Sequence, residues 1–393
     1  MLDVKATEDM LALVQKMIAI PSFTGEESEL VHFLHGYMEA VGYDDVRIDE
    51  YGNVLGVIHG DHEGPRILFD GHVDTVGIGD ESSWRVPPFS GTIVDGKLYG
   101  RGTSDMKGAL GAMIYAAKDI DRENLYGSIY ISGTVNEEVA EGAALLKILD
   151  EVHPHLVVIG ESSSLKLNTG QRGRAEIFLR TMGRRAHSAN PQIGINAVKK
   201  MMQVLAALDA YQPRQDAKLG EALMEITDIM SWPYPGASVV PEQCEVTVDR
   251  RLVRGDTPSR VLDEIKALLS GMDDPELQVQ VGIRDNDVET WSGLHLDTLR
   301  YAPPWYFPFE EDWIQDIQQL LERNGLVTEF GTYSFCTNGS ASAGERDIPT
   351  IGFGPGDETK AHTVDEWISV DSLQKGCWGY RVLMQNLGKE RKL

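Results

Sequence analysis

Positive charge, cysteine and long apolar runs are all scarce in this chain, and each shortage excludes a class of function. Lys and Arg number 36 against 61 Asp and Glu, giving a formal net charge of -25 over 393 residues. A surface of that sign repels a phosphate backbone, so no nucleic-acid partner is expected. The anionic face of a membrane is disfavoured for the same reason. The three cysteines, Cys244, Cys336 and Cys377, are odd in number and far apart, which gives neither a disulfide framework nor a CxxC site. No apolar run approaches the roughly 20 residues that span a bilayer. The opening stretch MLDVKATEDMLALVQKMIAI carries acids early and reads as an amphipathic helix, without the basic start and small-residue cleavage site of a signal peptide. A reducing, cytoplasmic location is therefore expected. The sequence also has no internal repeat and no low-complexity tract.

What remains has an ordinary globular balance, 42 % hydrophobic and 25 % charged. A chain of this length exceeds one typical core and implies two domains, or one interrupted by another. Helical spacing runs over 8–20 and 26–41, with Pro21 and Gly25 as breakers between. Strand-like runs at 66–69, 128–134 and 156–160 then alternate with helical stretches at 106–118 and 141–149, the pattern of a layered α/β domain with a largely parallel sheet. After about residue 173 the texture changes. Alternating strands are expected at 175–180, 246–250 and 277–283, with helices at 196–210 and from Pro258 to Leu269, the latter capped by Thr257. From about 286 the α/β pattern returns, with a helix at 310–324 and a strand at 349–353. The expected organisation is a catalytic domain of residues 1–172 and 287–393, interrupted at 173–286 by a smaller α+β domain with an antiparallel sheet.

Five short segments place metal-capable side chains at strand ends or turns. In ILFDGHVDTV, His72 and Asp74 are one residue apart and face the same side of an extended chain. A ligating histidine needs an acceptor on its second ring nitrogen, and Asp74 is one candidate for it. Asp105, in GRGTSDMKG, sits at a helix start, where alone it reads as a cap. Glu137 and Glu138, in NEEVAEG, adjoin just after an apolar strand. Beside metal ions one such carboxylate can ligate while the other stays free as a general base. Glu161 follows the run LVVI at the carboxyl edge of the sheet, where open α/β sheets bind ligands. His362 lies in the Gly-rich GFGPGDETKAH. Singly, each has an ordinary explanation as a cap, a solvated turn or a bystander. Together, two histidines, three carboxylates and a spare Glu suffice to hold two divalent ions about 3.5–4 Å apart through a shared carboxylate. Nitrogen and oxygen donors without thiolate suit zinc, and also cobalt or manganese.

The order HVDTV, GRGTSDMKG, NEEVAEG, GES, RAHSANP and GPGDETKAH resembles the metallopeptidase family of glutamate carboxypeptidase, acetylornithine deacetylase, succinyl-diaminopimelate desuccinylase and aminoacylase. The resemblance spans nearly the whole chain, including PSFTGEE and GNVLG. The stretch SFCTNGSASAGERDIPTIGFGPG is similar to a subgroup of selenium-metabolism-linked hydrolases. The resemblance implies that His72, Asp105 and Glu161 hold one metal and Asp105, Glu138 and His362 the other. It implies that Asp74 orients His72, that Glu137 is the general base, and that His187 stabilises the oxyanion, in dimeric relatives from the other subunit. The 173–286 insertion becomes a lid that also dimerises. Arg251 falls where relatives bind a substrate carboxylate. Asn338 and Gly339 fall in a substrate loop whose sequence, CTNGSASAGER, departs from the usual GTD or GTSD type. The implied activity is cleavage of the amide of a small N-acyl amino acid, with a metallo-exopeptidase acting on short peptides as the alternative.

Overall fold

The computed structural model describes residues 2–389 and divides into two compact units, one of residues 1–171, 287–297 and 305–393 and the other of 172–286 and 298–304. The first unit is built on a nine-stranded sheet. Its central strands Tyr126–Thr134, His62–His72, Leu156–Ile159 and Thr350–Gly352 are parallel. An antiparallel hairpin, Asp45–Ile48 with Val54–His59, extends one edge. The other edge is made by Leu167–Gln171, flanked by Trp305–Tyr306 and Phe330–Tyr333. The parallel centre is the expected one, whereas the edge hairpin has no clear spacing signal, because its outer strand is only four residues long and half-exposed.

Successive residues of a central strand face opposite sides, and both sides are covered. Ile67, Phe69 and Val158 point into a core formed with the helices Val4–Ile18, Lys107–Ala117 and Val370–Asn386. Leu68, Val157 and Ile159 point the other way, onto Leu145, Ile148 and Leu149 of the helix Ala143–Val152. Double coverage explains why these strands read as continuous apolar runs rather than alternating ones. Every residue of Lys107–Ala117 is buried, and Ala and Gly at six of its positions let neighbouring elements approach closely.

Register sets up the site. His72 pairs with Thr134, and Asp70 with Ile159, so the parallel strands end level with one another. The segments that follow them, 72–75, 135–139 and 160–163, therefore emerge at one end of the sheet, the edge at which α/β sheets bind ligands.

The second unit carries an antiparallel sheet in the order Leu223–Trp232, Gln243–Leu252, Gly173–Met182, Gln278–Ile283. One face packs on the helices Ala197–Leu208 and Pro258–Ser270 through Ile177, Leu179, Met201, Val246, Val248 and Val261. Thr257 caps the second helix by accepting from the Arg260 N–H, with Pro258 at its first position. All three cysteines are buried. Among the described residues no helix is long and apolar enough to cross a membrane.

Candidate functional site

At the carboxyl end of the parallel strands, four loops and one strand terminus converge. His72 is the last residue of its strand and is almost fully buried. Its Nδ1 lies 2.9 Å from the main-chain carbonyl of Asp74 and 3.5 Å from the Asp74 carboxylate, so the carbonyl is the hydrogen-bond acceptor. A carbonyl can only accept, which puts a proton on Nδ1 and leaves Nε2 as the outward-facing atom. Nε2 stands 3.0 Å from Asp105 Oδ1 and 3.3 Å from Glu161 Oε1. Across Asp105, its other oxygen is 3.1 Å from His362 Nε2, and that nitrogen is also 3.0 Å from Glu138 Oε2. Two sets of converging donor atoms result, His72–Asp105–Glu161 and Asp105–Glu138–His362, with Asp105 common to both.

The Asp74 carboxylate also supports the neighbouring turn. Wholly buried, it accepts from the main-chain N–H groups of Glu137 (3.0 Å) and Glu138 (3.2 Å) and from the Thr24 hydroxyl (2.8 Å). Asp74 thus ties the His72 loop to the Glu137–Glu138 turn, its carbonyl and carboxylate both facing the histidine and its carboxylate also holding the turn. That turn opens on Asn136, held in the left-handed region at φ +56°, a conformation asparagine tolerates better than most residues.

The charges explain what the site accommodates. Burial opposes charge on His72, but Asp105, Asp74 and Glu161 outweigh it and hold the ring protonated well above the usual histidine range. Asp105 and Glu138 likewise push His362 up to about 10. Asp105 itself, though desolvated, is held well below the usual carboxylate range by the two histidines. Burial drives Glu137 far upward, with Glu161, Glu138 and Glu141 adding to it against His72, and burial together with Asp105 raises Glu138 to about 7. Carboxylate oxygens facing imidazole lone pairs in a buried site call for positive charge between them. Protons on the histidines can supply it, and so can divalent cations. The donor set of nitrogen and oxygen atoms, with no sulfur, fits two such ions. Glu137 Oε1 is buried with no protein partner, as suits a carboxylate kept free for a reacting molecule.

Glu366 and Glu27 escaped the sequence reading, because a carboxylate that accepts main-chain N–H groups in a distant loop leaves no local signature. Glu366, fully buried, accepts from Gly102 (3.1 Å), Ser104 (2.8 Å) and Asp105 (3.1 Å) and pairs with Arg101 at 2.7 Å. Gly354, in the GFGPG stretch, packs so tightly that a Cβ there would lie 2.1 Å from the Glu161 carbonyl oxygen. Only glycine permits that approach of the two backbones.

Of the remaining expected residues, Asn338 and Gly339 belong to the first unit and His187 and Arg251 to the second. Asn338 is buried with its amide fully engaged, donating to Asp70 and Thr134 at 2.9 Å each and accepting from the Gly142 N–H at 2.8 Å. It thereby clasps two parallel strands to the segment entering the helix Ala143–Val152. Gly339 is held against the Trp305 indole, where a Cβ would lie 2.7 Å from Nε1. His187 is exposed, its Nδ1 accepting from the Ala189 N–H at 3.0 Å. Arg251 is half-buried, 3.3 Å from Asp249.

A parallel-sheet edge bearing two histidines, an aspartate common to both donor sets, two further carboxylates able to ligate and an unpartnered glutamate oxygen is the kind of site found in metal-dependent hydrolases. Residues 68–386 match peptidase family M20/M25/M40, and the chain belongs to that family. It is 36 % identical to the Escherichia coli (strain K12) protein YgeY, over 91 % of this chain and 89 % of that one. It is 28 % identical to the acetylornithine deacetylase of Proteus mirabilis (strain HI4320), over 93 % of each. Its fold matches that of the Bacillus subtilis YXEP protein, described as a dinuclear metal-binding peptidase of the M20 family, with a TM-score of 0.70 at 14 % identity over 98 % of this chain and 99 % of that one. The protein is accordingly a hydrolase of amides or peptides.

Proposed function

We propose that the chain is a di-zinc deacylase that cleaves the amide of a small N-acyl amino acid. The observation that carries this reading is the position of Asp105, whose two oxygens each stand about 3 Å from a different histidine, each histidine having its own further carboxylate. On this reading His72, Asp105 and Glu161 hold one ion, and Asp105, Glu138 and His362 the other. When bound, the two ions supply Lewis-acid polarisation of the amide carbonyl and acidify a shared water.

The protein's own groups do the rest. Glu137, buried and unpartnered at Oε1, takes the proton of the attacking water and delivers it to the departing nitrogen. Burial raises its affinity for a proton, as suits a group that accepts one. The Asp74 carboxylate, through the Glu137 and Glu138 N–H groups, keeps the base and its neighbouring ligand from exchanging roles. His187 is assigned to the oxyanion and Arg251 to the substrate carboxylate, both on family resemblance. Assembly as a homodimer through residues 173–286, which would form the lid, belongs to the same reading.

Deacylation is preferred to peptidase action because the acetylornithine deacetylase relative matches over nearly the full length of both chains. The test is hydrolysis of a panel of N-acetyl and other N-acyl amino acids beside dipeptides, using protein reconstituted separately with Zn²⁺, Co²⁺ and Mn²⁺. Preference for the acyl amino acids with Zn²⁺ supports the reading. Faster cleavage of dipeptides makes the protein an exopeptidase, and highest activity with another ion removes zinc.

A further inference from the structure

The loop Pro21–Glu27, with the sequence PSFTGEE, holds no expected ligand, yet it is bonded to both segments that carry the catalytic carboxylates. Ser22 donates its hydroxyl to the Val73 carbonyl at 2.7 Å and accepts the Thr75 N–H at 2.9 Å, while Phe23 forms a parallel bridge with Thr75. Thr24 donates to the Asp74 carboxylate at 2.8 Å, and Glu27 Oε1 accepts the Asn136 N–H at 3.1 Å. The loop therefore grips the His72–Thr75 segment along its length and reaches past it to the first residue of the Glu137–Glu138 turn.

Glu27 stands at the N-cap of the helix Ser28–Ala40, where a carboxylate ordinarily turns back onto its own helix. Its side chain makes no such bond. Fully buried, it is directed instead to a residue in the left-handed conformation, Asn136. The arrangement is costly. Glu27 Oε2 and both polar atoms of the Asn136 side chain are buried without a protein partner, and burying such groups unpaired is unfavourable. Burial and the nearby Asp74 push the Glu27 carboxyl up to about 7. A helix cap could be satisfied at the surface with none of this.

We infer that Pro21–Glu27 is a positioning element of the active site, in which Glu27 fixes the Asn136–Glu138 turn and Thr24 fixes the Asp74 carboxylate holding the same turn, so that the loop sets where Glu137 and Glu138 point. The inference rests on the proposed roles of Glu137 as base and Glu138 as ligand. Neither Glu27 nor Thr24 touches the reacting atoms.

The full chain, freed of metal and titrated with Co²⁺ under visible absorption, provides a readout independent of turnover. Wild type binds two equivalents. Glu27→Leu keeps the size of the side chain and removes the acceptor, and Thr24→Val removes the hydroxyl. Both are expected to weaken the equivalent held by Glu138 by about 10–100-fold, the usual effect of losing a partner behind a ligand. Both should also lower kcat while leaving KM near wild type on the best substrate of the panel. Glu27→Gln, whose amide oxygen still accepts from Asn136, should restore affinity and kcat. A folded Glu27→Leu with wild-type Co²⁺ affinity and kcat overturns the inference, as does Glu27→Gln behaving like Glu27→Leu. Should Glu27→Leu not fold, Thr24→Val decides, and wild-type values there overturn the inference. A wild-type protein that takes up no Co²⁺ overturns the metal reading and the inference together, whereas two equivalents bound equally by every variant overturns only the inference.

Discussion

The main-chain N–H of Asp105 donates to the fully buried carboxylate of Glu366 at 3.1 Å. This bond joins the loop of the shared aspartate to the loop of His362, four residues upstream of Glu366 in the chain. The same carboxylate gathers the Gly102 and Ser104 N–H groups and the Arg101 guanidinium, which itself donates to the Thr363 carbonyl at 3.3 Å. The second donor set is thus held at its base by one buried ion pair.

Glu366→Gln is expected to be severe despite its similar shape. Its amide nitrogen would face N–H donors, and Arg101 would lose its buried partner, a loss costing roughly 3–5 kcal/mol. Thermal unfolding should show a clear fall in Tm, and metal titration a loss of affinity of about 10–100-fold. Wild-type values in both would mean the loop holds its shape without Glu366.

Glu137→Gln should separate binding from chemistry. Glu137 is not one of the residues in either donor set, so elemental analysis should find metal as in wild type. Turnover should fall by about 10²–10⁴-fold, the range general-base catalysis supplies. Activity within a few-fold of wild type would remove Glu137 from the role.

His72→Ala and His362→Ala should both lose metal, and metal binding should register as stability. With buried carboxylates crowded together, the cation-free protein is the less stable form. A ligand at a hundred times its Kd adds about 2.7 kcal/mol. Addition of Zn²⁺ to chelator-treated wild type should therefore raise Tm by several degrees, and the same addition to His72→Ala should not. Equal shifts in both proteins would place the bound ion elsewhere.

In the second unit, desolvation pulls the Asp216 carboxyl up, but the Arg254 guanidinium at 2.7 Å and the Leu219 and Lys218 N–H groups outweigh it and hold the pKa at about 2. An unfolded aspartate titrates near 3.9. Because the folded value is the lower, the contribution is complete above about pH 4 and disappears as pH falls toward 2. Asp216→Asn should flatten the pH dependence of denaturant stability across that window by on the order of 1 kcal/mol, allowing for screening at a partly solvated pair. An unchanged slope would deny Asp216 this contribution.

By itself the sequence determined most of the helices and the parallel strands at the centre of the sheet, because local periodicity dictates them. The runs ILF, IYIS and LVVI, short and bounded by turn signals, read as strands, and Thr257–Pro258 marks a helix start without reference to the rest of the chain. It also determined which side chains have metal-ligating chemistry, since histidine and carboxylate at strand ends are visible residue by residue. Tertiary structure alone decided which atoms do what. That the Asp74 carboxylate also gathers the Glu137 and Glu138 N–H groups, that Asn338 spends its amide on Asp70 and Gly142, and that Glu366 and Glu27 support loops far away in the chain all depend on strand register and loop closure. Those are long-range relationships between main-chain groups, and a main-chain N–H or carbonyl is the same in every residue and writes nothing into the sequence.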